Sequence, residues 1–258
     1  MPNAVHLADL TTDELRALFD RGAPCAALLP VGSVEPHGPH LPLSTDTLIS
    51  VAAAERAAGT LREKHITALV APPVSYGVTR FAEGFAGAIS IPPSALSAYL
   101  RAIAESLLSA GFSHVSLVNS HLEPDHDAAV RSAVDGIPPG RASVASPLTR
   151  RWAKTLSPEF KSGACHAGRY ETSIVLFASP ASVDMDVARS LPDVSISLSD
   201  GIRAGQASFR AMGIERAYTG SPREASAEEG SELLDRLAAM IAAEVEEGLQ
   251  IASPRVSR

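Results

Sequence analysis

Two short segments of the chain combine imidazoles and carboxylates at the same spacing. In "GSVEPHGPHLPLSTD" Glu35 and His37 stand one residue apart, and Asp46 follows at the start of a helical pattern. In "VNSHLEPDH" His121 and Glu123 repeat the one-residue gap, directly after an apolar run. Residues i and i+2 of extended backbone point the same way, so each pair can present both side chains to one point. Nitrogen and oxygen donors of this kind suit Zn²⁺ or Mn²⁺, and Fe²⁺ accepts the same set. Five ligands exceed what one catalytic zinc takes; two metals about 3.5–4 Å apart, with a carboxylate between them, would use them all. The plainer reading makes Glu35 a solvated acid, His37 and His40 turn residues, and Asp46 a first-turn acid. The second segment would then be a helix-capping loop.

A third segment, "GACHAGRYETS", holds His166 between small residues. A histidine there is either a general acid or base, since it titrates near neutrality, or a packing residue. Glu171 is either part of a site or a first-turn acid favoured by the helix dipole. Cys165 could be a nucleophile, but a cysteine flanked by alanine is more often a packing residue. "PPVSYGVTRFAEGFAGAIS" carries Tyr76, Arg80 and Glu83 among three glycines. It lacks both phosphate-binding glycine patterns. It reads as a turned or mobile loop over the strand ends, either a substrate lid or a plain surface loop.

The elements around these segments alternate. "TTDELRALFDRG" is a short amphipathic helix with Thr11 or Thr12 as cap. "PCAALLPVGS", "ITALVAPPVSYG" and "HVSLVNSH" are apolar runs of strand length, and "ASVASPL" reads as a fourth. Between them lie helical patterns: "STDTLISVAAAERAAG", stopping at Gly59, "PPSALSAYLRAIAESLLSAGF", and "PDHDAAVRSAV". "GRYETSIVLFASP" and "SAEEGSELLDRLAAMIAAEVEEGLQ" are helices too. Apolar rather than alternating strands, separated by helices, indicate an α/β fold with a mainly parallel sheet covered on both faces. Ligands of such folds sit beyond the carboxyl ends of the strands. The stretch 179–220 gives no clear pattern; irregular structure or an interface arm would both fit.

Composition narrows the function. The 258 residues carry a formal charge of −7, which disfavours a nucleic-acid partner. The two cysteines form no framework, and no CxxC occurs. No basic and apolar leader opens the chain, and no apolar run reaches about 18 residues. The expectation is one soluble cytoplasmic domain over residues 1–258 with no membrane partner.

These motifs, with "PPVSYGV" and "GSPREASAEEG", occur in the order seen in the creatininase (creatinine amidohydrolase) family, which the chain resembles from about residue 25 to 245. The resemblance implies a creatininase-like fold in homohexamers. It implies a binuclear zinc or manganese site that hydrolyses a C–N bond of a small amide, lactam, formamide or short peptide. Carried over, Glu35, His37, Asp46, His121 and Glu123 correspond to ligands, with Asp46 bridging. His166 corresponds to the proton shuttle, Glu171 joins it as a catalytic residue, and Tyr76, Arg80 and Arg169 are candidates for the substrate. Departures point away from creatinine as the substrate. Leu122 stands where creatininase has an aromatic residue, and "KSGAC" replaces a gating tryptophan segment. Arg169 replaces an acid found in many relatives, and "FAGAIS" replaces Phe-Pro-Gly-Thr. The alternative is a metal-binding homologue with an assembly or regulatory role.

Overall fold

A computed structural model describes residues 5–252. Its centre is a four-stranded sheet in the order β2-β1-β3-β4, all parallel. The strands are β1 (Cys25–Val31), β2 (Thr67–Val70), β3 (His114–Asn119) and β4 (Ala142–Ala145). Every residue of β1 and β3 is buried, as a strand covered on both faces requires. Pro30 is tolerated in β1 because its carbonyl accepts from Val74, on the side where β2 has already ended opposite Leu28.

Helices α1 (Thr12–Phe19), α3 (Pro93–Ala110) and α4 (Pro124–Ser132) cover one face. Helices α2 (Thr45–Glu63), α7 (Arg169–Ala178) and α10 (Ala227–Ala252) cover the other. Short helices α5 (Arg150–Ala153), α6 (Pro158–Ser162), α8 (Met185–Ser190) and α9 (Leu198–Arg203) lie in the connections. Thr11 closes a capping box with Glu14 at the start of α1. No described helix is long and apolar enough to cross a membrane.

The structure differs from the sequence reading at three places. Helix α2 runs through Gly59 to Glu63, because nothing crowds that glycine and "TLRE" continues the helix. It stops at His65, whose φ of 62° is left-handed. The loop over the strand ends is braced: Gly32 and Gly77 are close-packed, and a Cβ on Gly77 would meet the His126 ring at 2.5 Å. The unreadable stretch contains short helices and a third apolar cluster in which Phe209, Met212 and Ile214 pack with Ala82.

The two covering layers differ in how closely backbones approach. A Cβ on Gly230 of α10 would lie 1.9 Å from the Ser173 carbonyl of α7, whereas one on Gly59 would meet nothing within 4 Å. Gly59→Ala should therefore stabilise the fold by about 0.5–1 kcal/mol through helix propensity. Gly230→Ala should destabilise it by about 1–3 kcal/mol through overpacking, despite the same propensity gain. Urea unfolding of the two variants, followed by circular dichroism, measures both signs.

Candidate metal centre

The carboxyl ends of β1 and β3 deliver the first two segments to one point. Past Val31 the chain brings Glu35 and His37 to the site, and Asp46 returns from the first turn of α2. Past Asn119, His121 meets them. His121 Nδ1 lies 3.2 Å from Glu35 Oε1 and 3.0 Å from Asp46 Oδ2. His37 Nε2 lies 3.2 Å from Asp46 Oδ1, 3.5 Å from Glu171 Oε2 and 3.7 Å from Glu35 Oε1. Three overlapping groups have ligand atoms within 4.8 Å of one another: Glu35, Asp46 and His121; His37, Asp46 and Glu171; Glu35, His37 and His166.

The histidine tautomers are fixed from behind. His37 Nδ1 donates to the Glu35 carbonyl at 3.1 Å, and His121 Nε2 to the Val78 carbonyl at 2.7 Å. A carbonyl only accepts, so each proton sits on the outer nitrogen. The inner nitrogens then point lone pairs at carboxylate oxygens. That arrangement is repulsive unless a second proton or a cation lies between. Without a cation, protons fill the role. Burial opposes charge on His37, but Asp46, Glu171 and Glu35 outweigh it and push its pKa up to about 10. Burial likewise opposes charge on His121, but Glu35 and Asp46 carry its pKa well above the usual value. Burial pushes Glu171 up to about 8 against the pull of His37. Asp46 also feels burial, yet His37 and His121 hold it well below the carboxylate range. His37 Nε2 and Asp46 Oδ2 are buried without a hydrogen-bond partner. Buried charges persist when paired or metal-bound. The donor set and its orphaned atoms fit divalent cations.

Thr79 donates to Glu35 Oε2 at 2.9 Å and fixes that carboxylate from the braced loop. Glu171 Oε2 accepts from the Ala167 amide at 2.7 Å. Helix α7, which carries Glu171, is capped at a distance: Glu159 accepts from Tyr170 N at 2.6 Å and from Ser221 N at 2.7 Å. His166 donates through Nε2 to the Pro36 carbonyl at 3.0 Å and turns Nδ1 toward Glu35 Oε1, 3.6 Å away. Its ring lies between His37 and Phe209, with centroids at 4.4 and 4.6 Å. Burial, aided by His37, pushes its pKa down to about 4. Burial also drives the Cys165 thiol far above its usual range, the opposite of an activated nucleophile.

Other predicted residues are placed elsewhere. Glu123 lies outside all three groups; its carboxylate accepts from the Arg80 and Phe81 amides, and its nearest approach to His121 Nε2 is 4.0 Å. Arg80 turns outward to Asp125, Arg169 pairs with Glu229 and Glu224, and Tyr76 is exposed. None of these three lines the central cavity. His40 donates or accepts at Thr172 Oγ1, 2.9 Å away, and packs edge-on against Tyr218. Sequence reasoning missed the carbonyls of Pro36 and Val78, which no side-chain pattern announces. It also missed Phe209, which lies in the stretch without periodicity.

The cavity above the carboxylates measures about 400 Å³. Phe81, Leu122, Phe160, Ile202 and Phe209 form apolar walls.

The chain is similar to several known proteins. The chain is 34% identical over 232 residues to the mycofactocin precursor peptide peptidase of Mycobacterium ulcerans, covering 83% of this chain and 84% of that protein. It is 37% identical over 167 residues to the protein of the same description from Mycolicibacterium smegmatis, 62% of this chain. There the match spans 60% of the relative, less than two thirds of its length. The fold superposes on a solved structure described as "Creatininase Mn" with a TM-score of 0.71, at 24% identity over 95% of this chain and 98% of that one. At that identity the likeness is one of fold. The profile of the creatininase family, described as creatinine amidohydrolase, matches residues 8–245, and the chain therefore belongs to that family.

Proposed function

We propose that the protein is a metal-dependent hydrolase of a C–N bond in a small amide or short peptide. The observation that carries this reading is the pair of imidazoles locked by backbone carbonyls with their free nitrogens against shared, buried carboxylates. Glu35, Asp46 and His121 would hold one divalent cation; His37, Asp46 and Glu171 would hold a second, with Asp46 contributing to both. Glu171 takes the fifth ligand position in place of Glu123, whose carboxylate is engaged by the loop amides. Related structures described as "Creatininase Mn" and as a "Zn-Zn type" creatininase mutant support Mn²⁺ or Zn²⁺, and Fe²⁺ fits the same donors. The curated relatives named as peptidases support a peptide bond as the bond cleaved.

Cations bound there supply polarisation of the substrate carbonyl and a water of lowered pKa. The chain's own residues do the rest. His166 is kept neutral by burial, with its Nδ1 lone pair facing the site. It is placed to take a proton from the attacking water and to pass it to the departing nitrogen. Its anchor on the Pro36 carbonyl ties it to the segment bearing Glu35 and His37, so one hydrogen bond sets the base relative to the ligands. The apolar walls exclude bulk water, which strengthens the electrostatics of the site. Membership of the creatininase family supports a homohexamer, which light scattering would test, and fractionation of cells would test a cytoplasmic location.

Two sets of variants test the assignment. His121→Ala should lower the metal content, measured by elemental analysis, from about two per chain to one or fewer, and abolish turnover. Full metal content and turnover would contradict it. His166→Ala should keep its metals and lose about 10²–10⁴ in rate. Glu171→Gln should lose metal where Glu123→Gln keeps it; the reverse result would return Glu123 to the ligand set.

A further inference from the structure

The cationic side chains of this molecule are mostly spoken for. Arg80 pairs with Asp125, Arg131 with Asp127, Arg169 with Glu229, and Arg56 with Asp235. Arg151, on α5, holds Glu247 in a two-pronged contact. Arg62 and Arg216 are exposed and stand outside those pairs, but the one place where such cations gather is the cavity mouth. Arg150, Lys154 and Lys161 all line it, and all three are exposed. Among the described residues, none of the three has a carboxylate within ion-pair distance or a side-chain hydrogen bond. Lys154 and Lys161 are two of only three lysines in a chain with 29 acids and 22 bases. Arg150 and Lys154 are four residues apart, across α5 and its C-cap, and like charges at that spacing repel.

Three uncompensated cations therefore ring one cavity whose floor is the carboxylate cluster. Its walls between them are apolar, with Leu148 at the lip and Leu198 beside it. A ligand that satisfies all three zones has an amide for the floor, an apolar body for the walls and an anion for the mouth. Arginine and lysine at a mouth select carboxylate by charge and hydrogen bonding. We infer that the substrate carries a free carboxylate, held by Arg150, Lys154 and Lys161, on an apolar amide or short peptide. This inference rests on the hydrolase reading for the amide, and on the unpartnered cations alone for the carboxylate. It also moves anion recognition away from Arg80 and Arg169, which are already paired.

The test uses the zinc-loaded full chain and two probes, N-acetyl-leucyl-phenylalanine and its C-terminal carboxamide. Isothermal calorimetry should show the free acid binding at least about tenfold more tightly, with a preference that shrinks as salt rises. In the combined Arg150→Gln, Lys154→Gln, Lys161→Gln variant the ratio should fall to about twofold or less. Equal binding of the two probes to the wild type would overturn the inference. So would a preference that survives in the combined variant, since the carboxylate would then sit on the metals. N-acetyl-leucyl-glutamate carboxamide distinguishes the source of the charge: binding equal to the free acid would place a side-chain carboxylate at the mouth, which also supports the inference. Turnover is read separately. A carboxylate preference with no amide hydrolysed would strike the hydrolase reading alone. Hydrolysis without the preference would strike this inference alone.

Discussion

Two hydrogen bonds from imidazole to backbone carbonyl set the character of this molecule. His37 is held by the carbonyl of Glu35 and His121 by that of Val78. Each bond removes one tautomer from play and leaves a lone pair facing carboxylates that are themselves buried. Charges of one sign in a dry interior cost several kcal/mol each unless compensated. The surrounding structure is the frame that holds this arrangement in place. The sheet edge places the loops, α2 returns Asp46, and α7 returns Glu171.

The frame is tightest where it touches the site. Gly32 and Gly77 allow backbone to approach where a side chain would collide with Thr47 or His126. The loop containing Thr79 then reaches three acids or imidazoles at once: Thr79 holds Glu35, Val78 holds His121, and the Arg80 and Phe81 amides hold Glu123. A segment that reads in the sequence as a substrate lid or a plain surface loop is a brace. Its rigidity suits a centre whose ligands must already point inward before a metal binds. The cavity wall is built differently, from α5, α6, α9 and the segment around Phe209.

The layers of the fold were legible in the sequence because they rest on local signals. Apolar runs in β1 and β3, the capping box at Thr11 and the long amphipathic α10 each carry their own pattern. The convergence of Glu35, His37, Asp46 and His121 was legible as well, since all leave strand ends or begin the next helix of a parallel sheet. What spacing could not show is where a side chain points after the backbone leaves the strand. Glu123 has the same one-residue gap from His121 that Glu35 has from His37. Its carboxylate is nevertheless captured by amides of a loop more than forty residues earlier in the chain. Glu171, read in the sequence as a catalytic candidate rather than a ligand, sits among the clustered oxygens where Glu159 caps α7 from outside and Ala167 adopts a φ of 49°. Neither the capture of Glu123 nor the remote cap by Glu159 has a sequence signature. Arg80 and Arg169 drew attention by motif position, whereas their ion pairs with Asp125 and with Glu229 and Glu224 have no sequence signature.

The central claim is that the two inner nitrogens face cations. Anomalous diffraction from crystals of the metal-loaded protein measures this directly. Two peaks about 3.5–4 Å apart are expected, one against His121 Nδ1 and one against His37 Nε2, with Asp46 between them. A single peak, or density that leaves both inner nitrogens bonded only to carboxylates, would contradict the account.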